Sequence, residues 1–167
     1  LKEEFFNSNG EFRGKKRDLY DGGIRMPFVA RWPKTIKAGT TTNHVSAFWD
    51  FLPTACDIAG VQPTAKINGI SYLPALTNNK TKQNKHDYLY WEFNEKQGPI
   101  QALLKDDWKL VYFVNQRYEL YNLKNDPSEL NEISNQHPEI LKQLKGTLKT
   151  ARTEHPEFPL IRKYLKK

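Results

Sequence analysis

One stretch decides how this chain folds, and it reads Gly14-Lys15-Lys16-Arg17-Asp18-Leu19-Tyr20-Asp21-Gly22-Gly23-Ile24-Arg25-Met26-Pro27. It contains three adjacent cations, two acids and a pair of glycines, and the apolar residues 28–30 follow it directly. Because consecutive glycines allow a tight turn or a positive φ angle, we expect the cationic segment to fold back beside the strand that follows. A lysine held in this way is a fixed point charge that faces an anion.

The same stretch is the first of five sequence blocks that occur in one order along the chain. The other four read SAFWDFLPT at 46–54, NGISYLP at 68–74, WKL at 108–110 and ELYNLKNDP at 119–127. Together the blocks resemble the type I sulfatases, and especially the polysaccharide-degrading sulfatases of gut bacteria. The first block of that family reads roughly G-x-K-R-x-L-Y-E-G-G-I-R-x-P-F-x-x-R-W-P, which residues 14–33 follow nearly position for position.

The resemblance also indicates what this chain lacks. It implies a formylglycine nucleophile, made from Cys or Ser within C/S-x-P-x-R, and a calcium ion held by aspartates and an Asp-Asn pair. The single cysteine, Cys56, lacks the proline and arginine of that motif, and no serine has them. In the segment Asn7-Ser8-Asn9-Gly10 a serine stands where the calcium site needs an aspartate. We predict a C-terminal sulfatase fragment whose formylglycine and calcium lie upstream, and which binds no cofactor and is inactive alone.

The composition indicates a folded domain and limits its partners. With 167 residues and 38% hydrophobic content, the chain can form one or two small cores. The net charge of +7 is compatible with nucleic acid, anionic membranes or acidic polysaccharides. We find no nucleic-acid-binding motif and no apolar run near the roughly 20 residues of a membrane span. The resemblance implies a sulfated carbohydrate substrate, a missing N-terminal sulfatase domain, and a periplasmic or secreted location.

The pattern of apolar residues divides the chain at the polar loop 77–86. Before the loop we predict three short elements, a strand at 27–32, a helix at 48–59 and a helical turn at 71–76. Gly60 should end the helix. The predicted apolar face of the helix comprises Phe48, Phe51, Leu52, Ala55 and Ile58. We assign residues 1–80 to the C-terminal part of the catalytic sulfatase domain and residues 81–167 to a C-terminal subdomain.

The second part reads as a small sheet with one helix. Four β-like runs lie at 88–93, 100–105, 109–114 and 118–123, and their hairpin-like spacing predicts an antiparallel meander. A helix begins at Pro138 and continues to about Ala151, with an apolar stripe of Ile140, Leu141, Leu144 and Leu148. The predicted fold class is α/β then α+β. The resemblance implies the closing strand and helices of an alkaline-phosphatase-like sulfatase domain, followed by a four-stranded antiparallel sheet packed with the C-terminal helix.

Lys16 is the residue to which the resemblance assigns a catalytic role. It corresponds to the family lysine that contacts the substrate sulfate, although Lys15 is only one position away in register. A positioned ammonium group stabilises the negative charge that grows on the sulfate oxygens as the S–O bond breaks. The alternative is a solvated loop lysine. Arg17 either pairs with Asp18 or Asp21, or reaches the substrate.

Other polar residues carry weaker signals. Four residues that follow the polar loop into the predicted sheet are the candidates for sugar contact, namely Trp91, Glu92, Asn94 and Gln101, although they also fit an ordinary sheet face. Arg25 should anchor the glycine turn through a buried ion pair. We interpret His44 as a capping or packing residue and Asp50 as a structural hydrogen-bonding residue. Four aromatic residues of the later runs should pack against the helix, namely Trp108, Tyr112, Tyr118 and Tyr121.

The function that these observations favour is hydrolysis of a carbohydrate or aryl sulfate by the whole protein. This part would contribute Lys16 and one wall of the sugar pocket. Two alternatives stay open. One is a non-catalytic module that binds anionic glycans through its basic loops. The other is a purely structural C-terminal domain, whose glycine segment is ordered only against the missing domain.

Overall fold

The computed structural model describes residues 3–79, 82–95 and 98–161, and it forms two compact units. One unit joins Leu1–Met26 to Tyr88–Lys167, and the other comprises Pro27–Asp87. The glycine-rich segment therefore belongs to the same unit as the sheet. The boundary that we predict near residue 80 separates the catalytic sulfatase domain of a longer protein from its C-terminal subdomain. It is a different division from these two units, and it stays a prediction. Over the described ranges, no helix is long and apolar enough to cross a membrane.

A four-stranded antiparallel sheet forms the centre of the first unit. Its strands follow the order β1 (Leu89–Glu95), β2 (Gly98–Lys105), β3 (Trp108–Phe113) and β4 (Arg117–Asn122), which confirms the predicted meander. Asp106 and Asn115 take positive φ angles of 52° and 60° in the turns after β2 and β3. Short polar side chains tolerate this backbone region, so both turns reverse the chain without a glycine.

The helices of the two units differ greatly in length. They are α1 (Glu3–Phe6), α2 (Asp21–Ile24), α3 (Phe51–Ala59), α4 (Leu73–Leu76) and α5 (Pro138–Ala151). The predicted helical turn at 71–76 is present as α4, and the predicted C-terminal helix is present as α5. Proline at the first position of α5 fits because that residue's N–H would have no partner within the helix.

Helix α5 covers one face of the sheet, as predicted. Leu144 and Leu148 of α5 pack on three buried leucines of the sheet, Leu103, Leu110 and Leu120. Three aromatic residues of β3 and β4 surround this core, as expected, namely Trp108, Tyr112 and Tyr118. The rings of Tyr112 and Tyr118 are stacked, with their centroids 4.1 Å apart. This layer is the apolar core that holds the helix on the sheet.

The opposite face of the sheet packs against the N-terminal segment. Leu19 and Tyr20 pack with four buried side chains of the sheet, Ile100, Ala102, Val111 and Tyr121. The prediction for Tyr121 is therefore wrong, because strand alternation directs this side chain away from α5. The segment folds back onto the sheet face, and not beside a strand at 27–32, because the sheet face offers the apolar surface that Leu19 and Tyr20 bury.

The strand predicted at 27–32 is absent from the described structure. Phe28 is 62% exposed and Val29 is 91% exposed. A strand depends on hydrogen bonds from a neighbouring strand, and no described segment pairs with these residues. Their apolar pattern is therefore not sufficient to form a strand here.

The helix predicted at 48–59 is present as a short 3₁₀ turn, Phe48–Asp50, followed directly by α3. Gly60 ends the helix in the left-handed conformation with a φ angle of 68°, as predicted. The predicted apolar face is nevertheless not buried within the described residues. Phe48 is 81% exposed and Phe51 is 61% exposed. The face that should form a core therefore has no cover in the second unit.

Asp50 organises the second unit from a fully buried position. Its carboxylate accepts hydrogen bonds from the backbone amides of Ala47 and Ile70, and Oδ1 lies 2.8 Å from Nε2 of His86. The hydroxyl group of Thr54 donates to the carbonyl oxygen of Asp50 at 2.6 Å. These contacts join the start of α3 to segments that lie later in the chain, which confirms the structural role predicted for Asp50.

Replacement of Leu144 by alanine should lower the free energy of unfolding by about 2–5 kcal/mol, because the change leaves a cavity in the leucine layer. Leu144 is only 2% exposed. Chemical denaturation followed by near-ultraviolet circular dichroism measures the loss. Gln143→Ala, at the neighbouring exposed position, is the matched control and should change the value by less than about 0.5 kcal/mol. Equal losses in both variants would contradict this packing.

Candidate functional site

The cationic part of the N-terminal segment is a closed turn with Lys16 at its corner. The amide of Asp18 donates to the carbonyl oxygen of Lys15 at 2.8 Å, and the amide of Lys15 donates to Oδ2 of Asp18 at 2.9 Å. We call residues 15–18 the lysine turn. Its two hydrogen bonds fix the backbone on both sides of Lys16, whose side chain is exposed. The ammonium group therefore extends into solvent from a constrained base.

Arg17 occupies the second corner position of the lysine turn in a backbone conformation that is rare for arginine. Its φ angle is 85°, where a side chain with a Cβ atom costs about 1–2 kcal/mol. Its Nε atom lies 3.1 Å from Oε2 of Glu95 on β1, so Arg17 pairs with Glu95 and not with Asp18 or Asp21. Both side chains of the pair are about half exposed, so the pair orients the turn more than it stabilises the fold.

Gly22 and Gly23 are required by close approach rather than by positive φ. Both residues lie in α2, and neither has a positive φ angle. A Cβ atom on Gly22 would lie 2.4 Å from the carbonyl oxygen of Gly14, and one on Gly23 would lie 2.2 Å from that of Asp18. Real Cβ atoms do not approach oxygen atoms so closely. The paired glycines therefore let the backbone of α2 lie directly against the lysine turn.

A buried ion cluster fastens α2 to the sheet. The ammonium group of Lys109 on β3 is fully buried, and it lies 2.7 Å from Oδ1 of Asp21 and 2.8 Å from Oε1 of Glu129. The other carboxylate oxygen of Glu129 accepts a hydrogen bond from the amide of Asp21 at 2.6 Å. Buried charges persist only when they are paired and hydrogen-bonded. Each member of the cluster therefore depends on the other two.

Arg25 does not form the buried ion pair that we predicted. Its side chain is 59% exposed, and its Nη1 atom lies 3.5 Å from Oδ2 of Asp21. Its guanidinium group lies over the ring of Phe12, 4.5 Å from the ring centre. The anchor of the glycine turn is Lys109, because a residue inside the sheet can bring its charge to Asp21 from the buried side.

A second polar cluster surrounds Glu119 on the same face of the sheet. Its Oε2 atom accepts hydrogen bonds from the phenol groups of Tyr20 at 2.5 Å and Tyr121 at 2.9 Å. Arg13 joins this cluster to the first, because its Nη1 atom donates to the hydroxyl group of Tyr121 and to the carbonyl oxygen of Glu129. The guanidinium group of Arg13 also lies 3.9 Å from the ring centre of Tyr20. Arg13 thus fastens the segment before the lysine turn to the same face of the sheet.

These contacts shift several pKa values. Burial acts to raise the pKa of Glu119, but hydrogen bonds from two tyrosines and from Arg117 outweigh burial and hold this pKa below its usual value. Burial and the neighbouring Glu119 raise the pKa of Tyr121 to about 12. Burial also raises the pKa of Glu129, against the opposing effect of Lys109. At neutral pH the second cluster therefore consists of an ionised carboxylate that accepts from neutral phenols.

The four residues predicted to contact a sugar do not lie together. Trp91 lies on the face that packs against the N-terminal segment, and the other three alternate onto the opposite face, namely Glu92, Asn94 and Gln101. Glu92 pairs with Arg152 at 2.7 Å, and Asn94 donates to the carbonyl oxygen of Leu160. Gln101 is buried. Sugar contact stays a prediction for each of them, but a single pocket wall cannot use both faces of the sheet.

The second unit contains a cavity of about 510 Å³, and the residues that line it include His44, Gln83 and Lys85. His44 is half-buried, and burial lowers the pKa of its imidazole. This position fits the packing role that we expected for His44. In the portions of the chain that the structure describes, no group of three or more His, Cys, Asp or Glu side chains could hold a metal ion.

Comparison with known proteins identifies the family. Residues 10–154 match the family described as N-sulphoglucosamine sulphohydrolase, C-terminal. The chain belongs to this sulfatase family. The matched range includes the lysine turn, all four strands of the sheet and α5. The resemblance that the sequence blocks indicated is therefore confirmed.

Individual relatives agree with this assignment. N-acetylglucosamine-6-O-sulfatase of Bacteroides thetaiotaomicron is 33% identical over 169 residues, covering 92% of this chain and 30% of the relative. Human steryl-sulfatase is 33% identical over 111 residues, covering 64% of this chain and 19% of the relative. This chain therefore spans less than a third of the length of either sulfatase.

Solved structures confirm the fold class. BT4656, in complex with its substrate D-glucosamine-2-N,6-O-disulfate, matches with a TM-score of 0.60 at 30% identity, covering 72% of this chain and 26% of that chain. A glycosaminoglycan-metabolism sulfatase of Bacteroides thetaiotaomicron matches in fold with a TM-score of 0.72 at 22% identity, covering 91% of this chain and 35% of that chain. The α/β then α+β organisation of a sulfatase C-terminal part is therefore established, although the strand at 27–32 is not formed.

Sequence reasoning missed the residues that hold the site in place. It assigned no role to Lys109 or Glu129, and it treated Tyr121 as part of the helix core. A signal for Lys109 exists in the sequence, since it lies inside an apolar β run where a charge requires a partner. Nothing comparable identifies Glu129, which follows the last strand in an irregular segment.

Replacement of Lys109 by methionine should lower the free energy of unfolding by about 3–5 kcal/mol, because Asp21 and Glu129 would keep their buried positions without a counter-charge. Methionine preserves most of the side-chain volume, so the effect reports the charge. Urea denaturation at pH 7 measures the loss. Lys142→Met, at an exposed position of α5, is the control and should change stability by less than about 0.5 kcal/mol. A loss below about 1 kcal/mol at Lys109 would contradict the cluster's role.

Replacement of Glu119 by glutamine should reduce the loss of stability that occurs when the pH is lowered. Because the folded-state pKa of Glu119 is below its unfolded value of about 4.3, the ionised carboxylate stabilises the fold above that pH. The contribution is lost as the pH falls through the folded-state pKa. The difference in unfolding free energy from the parent protein should therefore be about 1–3 kcal/mol at pH 7 and shrink below pH 4.3.

Urea denaturation at several pH values between 7 and 3 tests this expectation. Glu157→Gln, at an exposed position, is the control and should keep the parent's pH dependence. If the difference in unfolding free energy between Glu119→Gln and the parent protein is constant over this pH range, the negative charge of Glu119 does not stabilise the fold.

Proposed function

We propose that this chain is the C-terminal part of a sulfuric ester hydrolase that removes sulfate from a carbohydrate or aryl substrate. Lys16 binds the sulfate group, and its ammonium group stabilises the charge that develops on the oxygens as the S–O bond breaks. The observation that carries the proposal is the lysine turn, which exposes Lys16 from a backbone closed by two hydrogen bonds. Such a base limits the region that the ammonium group can reach before the substrate arrives, which lowers the reorganisation needed in the transition state.

Three observations support a sulfated carbohydrate as the substrate. The name of one relative, N-acetylglucosamine-6-O-sulfatase, specifies a sulfated amino sugar, and BT4656 is bound to a disulfated glucosamine. The chain also carries a net charge of +7, which favours approach of a polyanionic glycan. A polymeric glycan substrate fits the periplasmic or secreted location that we propose for the protein.

The rest of the reaction is assigned to an upstream domain. The single cysteine, Cys56, lies within α3, and the described residues offer no set of side chains that fits a calcium ion. We propose, on the family resemblance, that formylglycine and calcium belong to an N-terminal part of the protein, and no step in this chain depends on them. With an aryl sulfate and calcium, we expect no turnover from the chain alone.

The uncovered apolar face of α3 supports the existence of that domain. Phe48, Phe51 and Leu52 are each more than half exposed along one side of the helix. Several large apolar side chains exposed close together are characteristic of a contact surface. We propose that an upstream sulfatase domain packs on this face and buries it, as the apolar helix pattern predicts.

In the full-length enzyme, Lys16→Ala should lower kcat/KM for a sulfated substrate by about 10²–10³-fold, because it removes a charge directed at the developing oxyanions. Steady-state hydrolysis measured with a sulfated N-acetylglucosamine and with an aryl sulfate tests this prediction. The melting temperature should stay unchanged, since Lys16 is exposed.

Lys124→Ala, which removes an exposed lysine elsewhere on the sheet unit, is the matched control and should keep full activity. Full activity of Lys16→Ala would refute the sulfate-binding role. In that case, elution of the chain from heparin at high salt would favour the anionic-glycan module, and elution at low salt would favour the purely structural domain.

A further inference from the structure

The lysine turn has a specific support, which is the bare Cα atom of Gly23. The carbonyl oxygens of Lys15 and Asp18 lie at the two ends of the turn, and both lie against this glycine. A Cβ atom on Gly23 would be 2.5 Å from the first oxygen and 2.2 Å from the second. Both atoms are backbone, so neither can rotate away as a side-chain atom could. The backbone at both ends of the lysine turn therefore lies directly against α2.

Helix α2 is itself fixed to the interior of the sheet unit. The amide of Gly23 donates to the carbonyl oxygen of Tyr20 at 2.8 Å, and the phenol group of Tyr20 donates to buried Glu119. Two residues before Gly23, the carboxylate of Asp21 contacts the buried ammonium group of Lys109 at 2.7 Å. The contacts of Tyr20 and Asp21 therefore determine the position of Gly23. Because the lysine turn packs directly on Gly23, they also determine the position of the turn.

Arg17 makes the geometry of the turn sensitive to this support. Its φ angle of 85° is unfavourable for a residue with a side chain, and such a conformation persists only where the surroundings enforce it. If the contact with Gly23 were disturbed, Arg17 would relax toward a negative φ angle. The adjacent Lys16 would then change direction, because the two residues share one peptide unit.

We propose that Gly23 is a positioning residue for Lys16, and that its lack of a Cβ atom fixes the point at which the lysine ammonium group meets a sulfate. The inference rests on the proposed function, since it assigns a structural cause to the position of the proposed sulfate ligand. Gly23 does not touch the substrate. It acts only through the backbone of the lysine turn.

The test uses the full-length enzyme and two glycine-to-alanine variants. Gly23→Ala should lower kcat/KM by about 100-fold, because displacement of a catalytic group by about 1 Å has an effect of this size. Gly146→Ala is the matched control, since a Cβ atom there meets nothing within 4 Å, and it should keep full activity. Full activity of Gly23→Ala would overturn the inference.

A double-mutant cycle with Lys16→Ala separates positioning from a general loss of structure. If Gly23 acts through Lys16, Gly23→Ala should cause no further fall in kcat/KM when Lys16 is already alanine. A further fall of about 100-fold in that background would overturn the inference while leaving the sulfate-binding role of Lys16 intact. Full activity of Lys16→Ala alone would instead overturn the proposed function, and this inference with it.

A second pair of variants applies if Gly23→Ala does not fold. Asp18→Ala weakens the same turn without adding an atom near α2, because it removes the oxygen that accepts from the amide of Lys15 and leaves only the backbone hydrogen bond. Asp18→Asn keeps an oxygen in that position and is its matched control. Asp18→Ala should lower kcat/KM in the parent enzyme but not in the Lys16→Ala background, and Asp18→Asn should restore most of the activity. Equal effects of Asp18→Ala in both backgrounds would overturn the inference.

Discussion

A lysine side chain that is completely buried in a small domain is stable only where carboxylates surround its charge. Lys109 meets two of them, one from the N-terminal segment at 2.7 Å and one from the segment after the sheet at 2.8 Å. The three groups lie on different parts of the chain, so the cluster forms only when the sheet and both segments are assembled. Its main effect is to specify which backbone lies on this face of the sheet.

The two faces of the sheet use different physical interactions for different purposes. The leucine layer under α5 provides apolar burial, which stabilises the sheet unit without requiring one detailed geometry. The opposite face combines a second apolar cluster with buried ions and hydrogen-bonded phenols, whose hydrogen bonds are strongly directional. Directional contacts of the second kind fix the backbone of the N-terminal segment more closely than apolar burial does. The proposed role of Lys16 depends on a segment held in this way.

The sequence was sufficient for the meander and for α5, because alternation and helical periodicity report burial directly. It also indicated the family through ordered sequence blocks, and the role that these blocks assign to Lys16 stays a prediction. It was insufficient where stability comes from distant residues. Nothing near Asp21 reveals that its partner is Lys109, and the residues at 27–32 have a strand pattern without a described neighbouring strand. The exposed face of α3 is a comparable case, since its helical pattern predicted burial and the described residues of the second unit leave it exposed.

Amide hydrogen exchange tests the central claim most directly, because it measures how firmly the N-terminal segment is held on the sheet. The amide of Asp21 donates to buried Glu129 at 2.6 Å, and the amide of Gly22 donates to the carbonyl oxygen of Arg13 at 2.7 Å. If the Lys109 cluster fixes the segment, both amides should exchange as slowly as that of Leu110 in the centre of β3, through global unfolding alone. Fast exchange at Asp21 and Gly22, with Leu110 still protected, would contradict the account.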